Sequence, residues 1–130
     1  RKNFFKKVKK FYKRKKDILI ETTLSGKYIF NVINKTKNNG YEIRLIYIHL
    51  RNVYENVKRV EIRAKSKEGH FVKKEDIIRR YKRSLENFCV IKKMCNFEVY
   101  LNDISYELIA DNDFIYDEEV FGEIIKYCNS

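Results

Sequence analysis

The sequence predicts an α/β fold, a three-layer sandwich around a mostly parallel sheet. Three observations carry this. Short runs rich in β-branched residues alternate with stretches of helical periodicity, the pattern of strand–helix–strand units. The chain has 130 residues, 44% of them hydrophobic, enough for one domain with a buried core. It has no Pro and four Gly, so linkers are scarce and residues 1–130 read as a single domain.

The elements follow in order. Residues 3–16 place Phe4, Phe5, Val8, Phe11 and Tyr12 on one helical face opposite Lys and Arg. This helix either packs on the sheet or offers its basic side to an anionic membrane or nucleic acid. Asp17 to Leu24 (DILIETTL) reads as a buried strand, and Ser25-Gly26 ends it, with Ser25 placed to cap the next helix. That helix covers about 26–38, with Tyr28, Ile29, Val32 and Ile33 on one face and Asn38-Asn39-Gly40 as its stop. Tyr41 to Leu50 (YEIRLIYIHL) is the second strand. A helix from Asn52 to about Ala64 and a polar connection over Lys65–Lys74 follow. A long helix over about 74–93, strands at Phe97–Leu101 and Tyr106–Ala110, and a terminal helix over Tyr116–Tyr127 complete the chain.

Charge narrows the function classes. The net charge is +11, yet ten of the 29 basic residues fall within 1–16, leaving 19 to face 18 acidic ones. The domain is therefore near neutral, with a basic start and an acidic end. The alternative reading is a nucleic-acid-binding module, carried by the basic first segment alone, or a protein-interaction module without catalysis. Cys89, Cys95 and Cys128 form no C-x-x-C pair and, with His49 and His70, no zinc-like spacing. Free thiols in a reducing cytosol are expected, and a cytoplasmic location with them. No apolar run approaches the length of a membrane span, and the basic start has no signal-peptide apolar region. The chain opens on Arg1 rather than Met and is expected to be part of a longer sequence.

Chemistry has two candidate places. In open α/β sheets ligands bind beyond the carboxyl ends of strands, which here means Glu21, Thr23, Ser25 and Gly26. Glu21 and Thr23 are two apart and share a strand face. A carboxylate beside a hydroxyl holds a substrate hydroxyl, and the Ser-Gly turn presents backbone N–H groups to an anion. Equally, Thr is common in strands and Ser-Gly in ordinary turns. The second place is basic: Arg63, then Arg79, Arg80 and Arg83 opposite the apolar face of the long helix. Guanidinium groups there clamp phosphates, or they form a solvated face in which Glu75 or Asp76 pairs with Arg79 or Arg80. No G-x-x-x-x-G-K-[ST] run occurs, so these residues contain no phosphate-cradling loop.

The run E-T-T-L-S-G at 21–26, Leu45-Ile46-Tyr47-Ile48, Glu68-Gly69-His70-Phe71-Val72 and Ile78-Arg79-Arg80-Tyr81-Lys82-Arg83-Ser84-Leu85-Glu86-Asn87 together resemble the zeta-toxin-like P-loop kinases over about 17–87. The resemblance implies a P-loop kinase-like fold, of which this chain is the C-terminal part, with the Walker A loop, its central strand and a catalytic Asp upstream of Arg1. In that fold the central strand lies between the runs 17–24 and 41–50, so here those runs are expected to pair with each other, or to leave edges that an oligomer fills. It implies ATP with magnesium as cofactors of the complete enzyme and none bound to this chain alone. It further implies a small molecule or nucleotide sugar such as uridine diphosphate N-acetylglucosamine as acceptor, and an antitoxin protein as partner. By position, Glu21, Thr23 and Ser25 fall on the substrate side. Arg63 with Arg79 or Arg80 fall where lid arginines contact ATP phosphates, and Arg83 supports that helix. Lys73 and Glu68 depart from the family's Pro and first Gly around the G-H turn.

Overall fold

The computed structural model describes residue 12 and residues 14–53, 57–58 and 73–129. Helix α1 (Tyr28–Asn38) buries Ile29, Val32 and Ile33, spaced i, i+3 and i+4 so that they share one stripe. It stops at Asn39, and Gly40 takes φ +83°, a left-handed turn that costs glycine nothing. Strand β1 (Arg44–His49) follows. Helix α2 (Lys74–Ile91) buries Ile77, Leu85, Phe88, Cys89 and Ile91, and Glu75 and Asp76 in its first turn complement the helix dipole. Strands β2 (Asn96–Asn102) and β3 (Tyr106–Asp111) form a hairpin. Helix α3 (Glu118–Ile125) begins where the Asp117 carboxylate accepts the Val120 N–H at 3.1 Å, and a 3₁₀ turn (Lys126–Asn129) ends the described chain.

The sheet order is β1-β2-β3. β1 and β2 run parallel with Tyr47 opposite Val99 and His49 opposite Leu101, while β2 and β3 run antiparallel. A parallel pair needs a crossover, and α2 lies within it. Alternate residues then face one core: Tyr47 and His49 from β1, and Phe97, Val99 and Leu101 from β2. The fully buried Phe88 sits at its centre, edge-on to Phe97 at 5.7 Å and 4.6 Å from the Tyr47 ring. Leu24, α1, α2 and α3 close over the same core.

Several expectations change. The described sheet is mixed, one parallel and one antiparallel pair, rather than mostly parallel. Its other face carries no helical layer among the described residues: Ile46 is 52% and Ile48 44% exposed. The run 17–24 is not a strand and does not pair with β1. The Thr22 hydroxyl accepts the Leu24 N–H at 3.0 Å and Leu24 sits at φ +61°, so a local turn replaces the ladder there. Ser25 does not cap α1, whose first turn has no side-chain cap; its hydroxyl bonds to that of Thr23 at 2.8 Å. Cys89 and Cys128 are joined in a disulfide, leaving Cys95 as the free thiol. Pairing depends on Cα atoms brought to 5.2 Å across 39 residues, which spacing alone does not reveal. The helix over 3–16 lies outside the described residues apart from its end, where Tyr12 packs on Tyr41 and bonds to Thr36. Most of the 52–64 helix and the connection around Gly69-His70 also lie outside them.

Candidate functional site

The site is built on a turn and a helix. The turn is Thr22–Gly26. Its Leu24 side chain is buried in the core while its backbone holds the left-handed conformation, a costly one for a residue with a γ-branched side chain. What fixes it is Asn87 on α2, whose Nδ2 donates to the Leu24 carbonyl at 2.7 Å and the Gly26 carbonyl at 3.3 Å. The Tyr28 ring closes the turn, its hydroxyl 3.2 Å from that of Thr22. A Cβ on Gly26 would stand 2.7 Å from that ring, so only glycine admits this approach.

Against this turn α2 presents Arg79, Arg80 and Arg83, spaced i, i+1 and i+4 on one face. Together they enclose a cleft of about 290 Å³ lined by Thr23, Ser25, Gly26, Tyr28 and the three arginines. The cleft has hydroxyls on one wall, guanidinium groups on the other and no carboxylate in its lining. Arg79 bonds to Asp76 at 2.9 Å, an exposed i,i+3 pair that contributes little. Arg80 and Arg83 make no ion pair among the described residues, and both line the cleft. Such a site suits an anion with several oxygens.

A second, larger cleft of about 740 Å³ adjoins it and shares Thr23 and Arg80. It lies between residues 19–24 and β1, with Ile77, Tyr81 and Ser84 of α2 on one side. Glu21 lines this cleft and not the arginine one. Arg44 and Arg80 also line it, while two tyrosines and a histidine there are held neutral. Burial pushes the Tyr47 hydroxyl up to about 12, although its bond to Ser84 at 3.0 Å opposes this. Burial likewise takes Tyr81, which donates to the Leu50 carbonyl at 2.6 Å, to about 12. Burial lowers His49 to about 4 against the opposing pull of Glu123. Glu21 is the one carboxylate among the described residues that line this cleft.

The structure brings Thr23 and Ser25, from one candidate place, to the same cleft as Arg79 and Arg80, from the other; Glu21 lines the adjoining cleft, and Arg63 lies outside the described residues. Sequence reasoning gave no role to Asn87 or Tyr28. The one signal for Asn87 was an amide set between Leu85 and Phe88 on a helix's buried side. No group of three or more His, Cys, Asp or Glu able to hold a metal occurs among the described residues. No helix among them is long and apolar enough to cross a membrane.

The family model for the Zeta toxin family matches residues 5–120, which spans both clefts. The chain belongs to the zeta toxin family. A curated relative from Haemophilus influenzae, described as an uncharacterized protein, is 37% identical over 62 residues. That match takes in 48% of this chain and 44% of the relative, less than half of either. No solved structure matches. Membership of the zeta toxin family makes the domain kinase-like.

Proposed function

We propose that these residues form the substrate-and-lid part of an ATP-dependent kinase of the zeta toxin kind, transferring the terminal phosphoryl group of ATP to a hydroxyl of a small molecule or nucleotide sugar. One observation carries the reading: a single cleft sets Arg79, Arg80 and Arg83 against Thr23 and Ser25. Phosphoryl transfer leaves little covalent work to the protein, and positioned positive charge is the main contribution. Arg80 and Arg83 would meet the phosphate oxygens and stabilise the charge that grows on them. Arg79, partly engaged with Asp76, would join when phosphate competes for it. Thr23 and Ser25 would orient the acceptor, and Glu21 would accept the hydrogen bond of the attacking hydroxyl.

Magnesium belongs to the complete enzyme on this reading, but the arginine cleft supplies no carboxylate for it. These residues would hold phosphates, not the metal, and no step is drawn through it. A protein antitoxin as partner and a cytoplasmic site of action belong to the same proposal. The chain by itself is expected to turn over no ATP, because it holds no phosphate-cradling loop. Nucleic-acid binding, the other reading, rests on the basic first segment, and no feature of the described residues favours it.

Steady-state kinetics of an active enzyme containing these residues tests the proposal. Arg80→Ala and Arg83→Ala should lower kcat by up to about a thousandfold, the lower end of what transition-state arginines contribute, with unchanged melting. Glu21→Gln should instead depress kcat/KM for the acceptor. If Arg79→Ala, Arg80→Ala and Arg83→Ala all keep kcat within about twofold, the arginines are a solvated helix face and the proposal fails.

A further inference from the structure

Phe114 and Tyr116 stand on a part of the surface that neither cleft uses. Six of the eleven large apolar side chains exposed among the described residues fall within 104–116, and these two are 64% and 56% exposed. Apolar surface concentrated in this way marks a contact surface rather than ordinary scatter. The rings are also held in place. The Asp111 carboxylate accepts the Phe114 N–H at 2.9 Å, and the Asp111 N–H donates to the Phe114 carbonyl at 2.9 Å. The Ile109 carbonyl accepts the Tyr116 N–H at 2.8 Å. Residues 111–116 thus run along the outer edge of β3, with the two ring centroids 6.1 Å apart. Rings already fixed lose little entropy when something packs on them.

Charge selects what can pack there. Residues 103–119 hold seven acids and no Lys or Arg. Asp103, Glu107, Asp111, Asp113 and Glu118 make no ion pair among the described residues. The chain itself carries the complement: residues 1–16 hold ten Lys or Arg and no acid, with Phe4, Phe5 and Phe11 among them. Lysine stems lie over aromatic faces while their ammonium groups meet carboxylates. The two regions belong to opposite sides of the sheet. Tyr12 packs on Tyr41 just ahead of β1, the rings line the far side of β3, and the order is β1-β2-β3. Such a separation suits contact between chains rather than within one. A molecule of net charge +11 also repels its own copies, so they associate only where opposite charges meet.

We propose that the aromatic, acidic edge formed by β3 and residues 111–117 is a homodimer surface, occupied by the basic segment 1–16 of a second copy of this chain. In a two-fold pair each copy gives its basic segment and receives the other's, so the contact is made twice. None of the residues named at this edge lines either cleft. The proposal therefore stands apart from the kinase reading, and its test uses no catalytic readout.

Sedimentation velocity at about 0.1 mM chain, enough to populate a weak complex, should show a dimer in about 50 mM salt. In about 0.5 M salt, where screening acts within about 5 Å, its Kd should rise by about tenfold or more. Glu107→Lys with Asp113→Lys, both at exposed positions, should leave the chain monomeric with unchanged melting. Lys6→Glu with Lys9→Glu and Lys10→Glu should also abolish the dimer. Mixing the two variants should restore it, because opposite charges then face each other in both arms. A wild-type monomer in about 50 mM salt overturns the proposal without recourse to any variant, and leaves the edge to a separate basic polypeptide. A dimer that salt strengthens, or that Phe114→Ser leaves intact, overturns it as well. A mixture of the two folded variants that stays monomeric overturns the choice of occupant.

Discussion

Asn87 is the hinge on which the candidate site turns, and Asn87→Ala isolates its part. The amide donates two hydrogen bonds from α2 to the turn, at 2.7 Å to Leu24 and 3.3 Å to Gly26. The first is short and strong, the second long. Their loss leaves partly buried carbonyls unbonded, and together this is worth about 2 kcal/mol. In a chain of this size that lowers Tm by about 7 °C. Urea denaturation should show the loss as a shifted midpoint with an unchanged slope, because the folded surface is the same. Asn87→Asp keeps the shape but sets carboxylate oxygens against carbonyl oxygens, and should cost more, about 3 kcal/mol. Leu24 at φ +61° adds a second readout: once released, the turn relaxes toward ordinary backbone, and Leu24, 3% exposed in the structure, loses protection in hydrogen exchange. If Asn87→Ala stays within about 0.5 kcal/mol of the parent, the turn is held by Tyr28 and the threonines instead, and the claim that α2 positions the site is wrong.

Other outcomes follow from the same geometry. His49 ionises near 6.5 when unfolded and near 4 when folded, so the unfolded chain takes up a proton first as pH falls; stability is full above 6.5 and declines through the window from 6.5 to 4. Between pH 8 and pH 5 the loss is about 2 kcal/mol, His49→Gln should flatten it, and an already flat profile for the parent chain would refute the burial argument. Reducing the Cys89–Cys128 bridge, or Cys128→Ser, frees a loop of separation 39 and should cost up to about 4 kcal/mol in unfolding experiments with and without dithiothreitol. No change with reductant would mean that the two thiols are not joined in solution.

The helices were legible because their evidence is local. Ile29, Val32 and Ile33, or Tyr81, Leu85 and Phe88, repeat at the helical period, and that period orients them toward a core; the same period took Ile78 to the core face, where the structure buries Ile77 instead. The strands at 44–49, 96–102 and 106–111 were legible for the same reason, as was the turn at Ser25-Gly26. The kinship was also carried by local runs, E-T-T-L-S-G and R-R-Y-K-R-S-L, and the family match over 5–120 agrees with it.

What tertiary structure decided is what depends on a partner far along the chain. DILIETTL has the composition of a strand, but a strand needs an edge to bond with, and the hydroxyl of Thr22 and the amide of Asn87 claim this backbone first. Cys89 finds Cys128 because α2 and the terminal turn pack together, not because of any spacing between them. His49 loses its affinity for protons only through burial under neighbours that the sequence does not place beside it. The sequence determined that a hydroxyl turn and a row of arginines exist and that the chain is zeta-toxin-like. Their meeting in one cleft, and the larger cleft beside it, are decided by how α2 lies against residues 19–26, a relation between segments some 60 residues apart that no local period encodes.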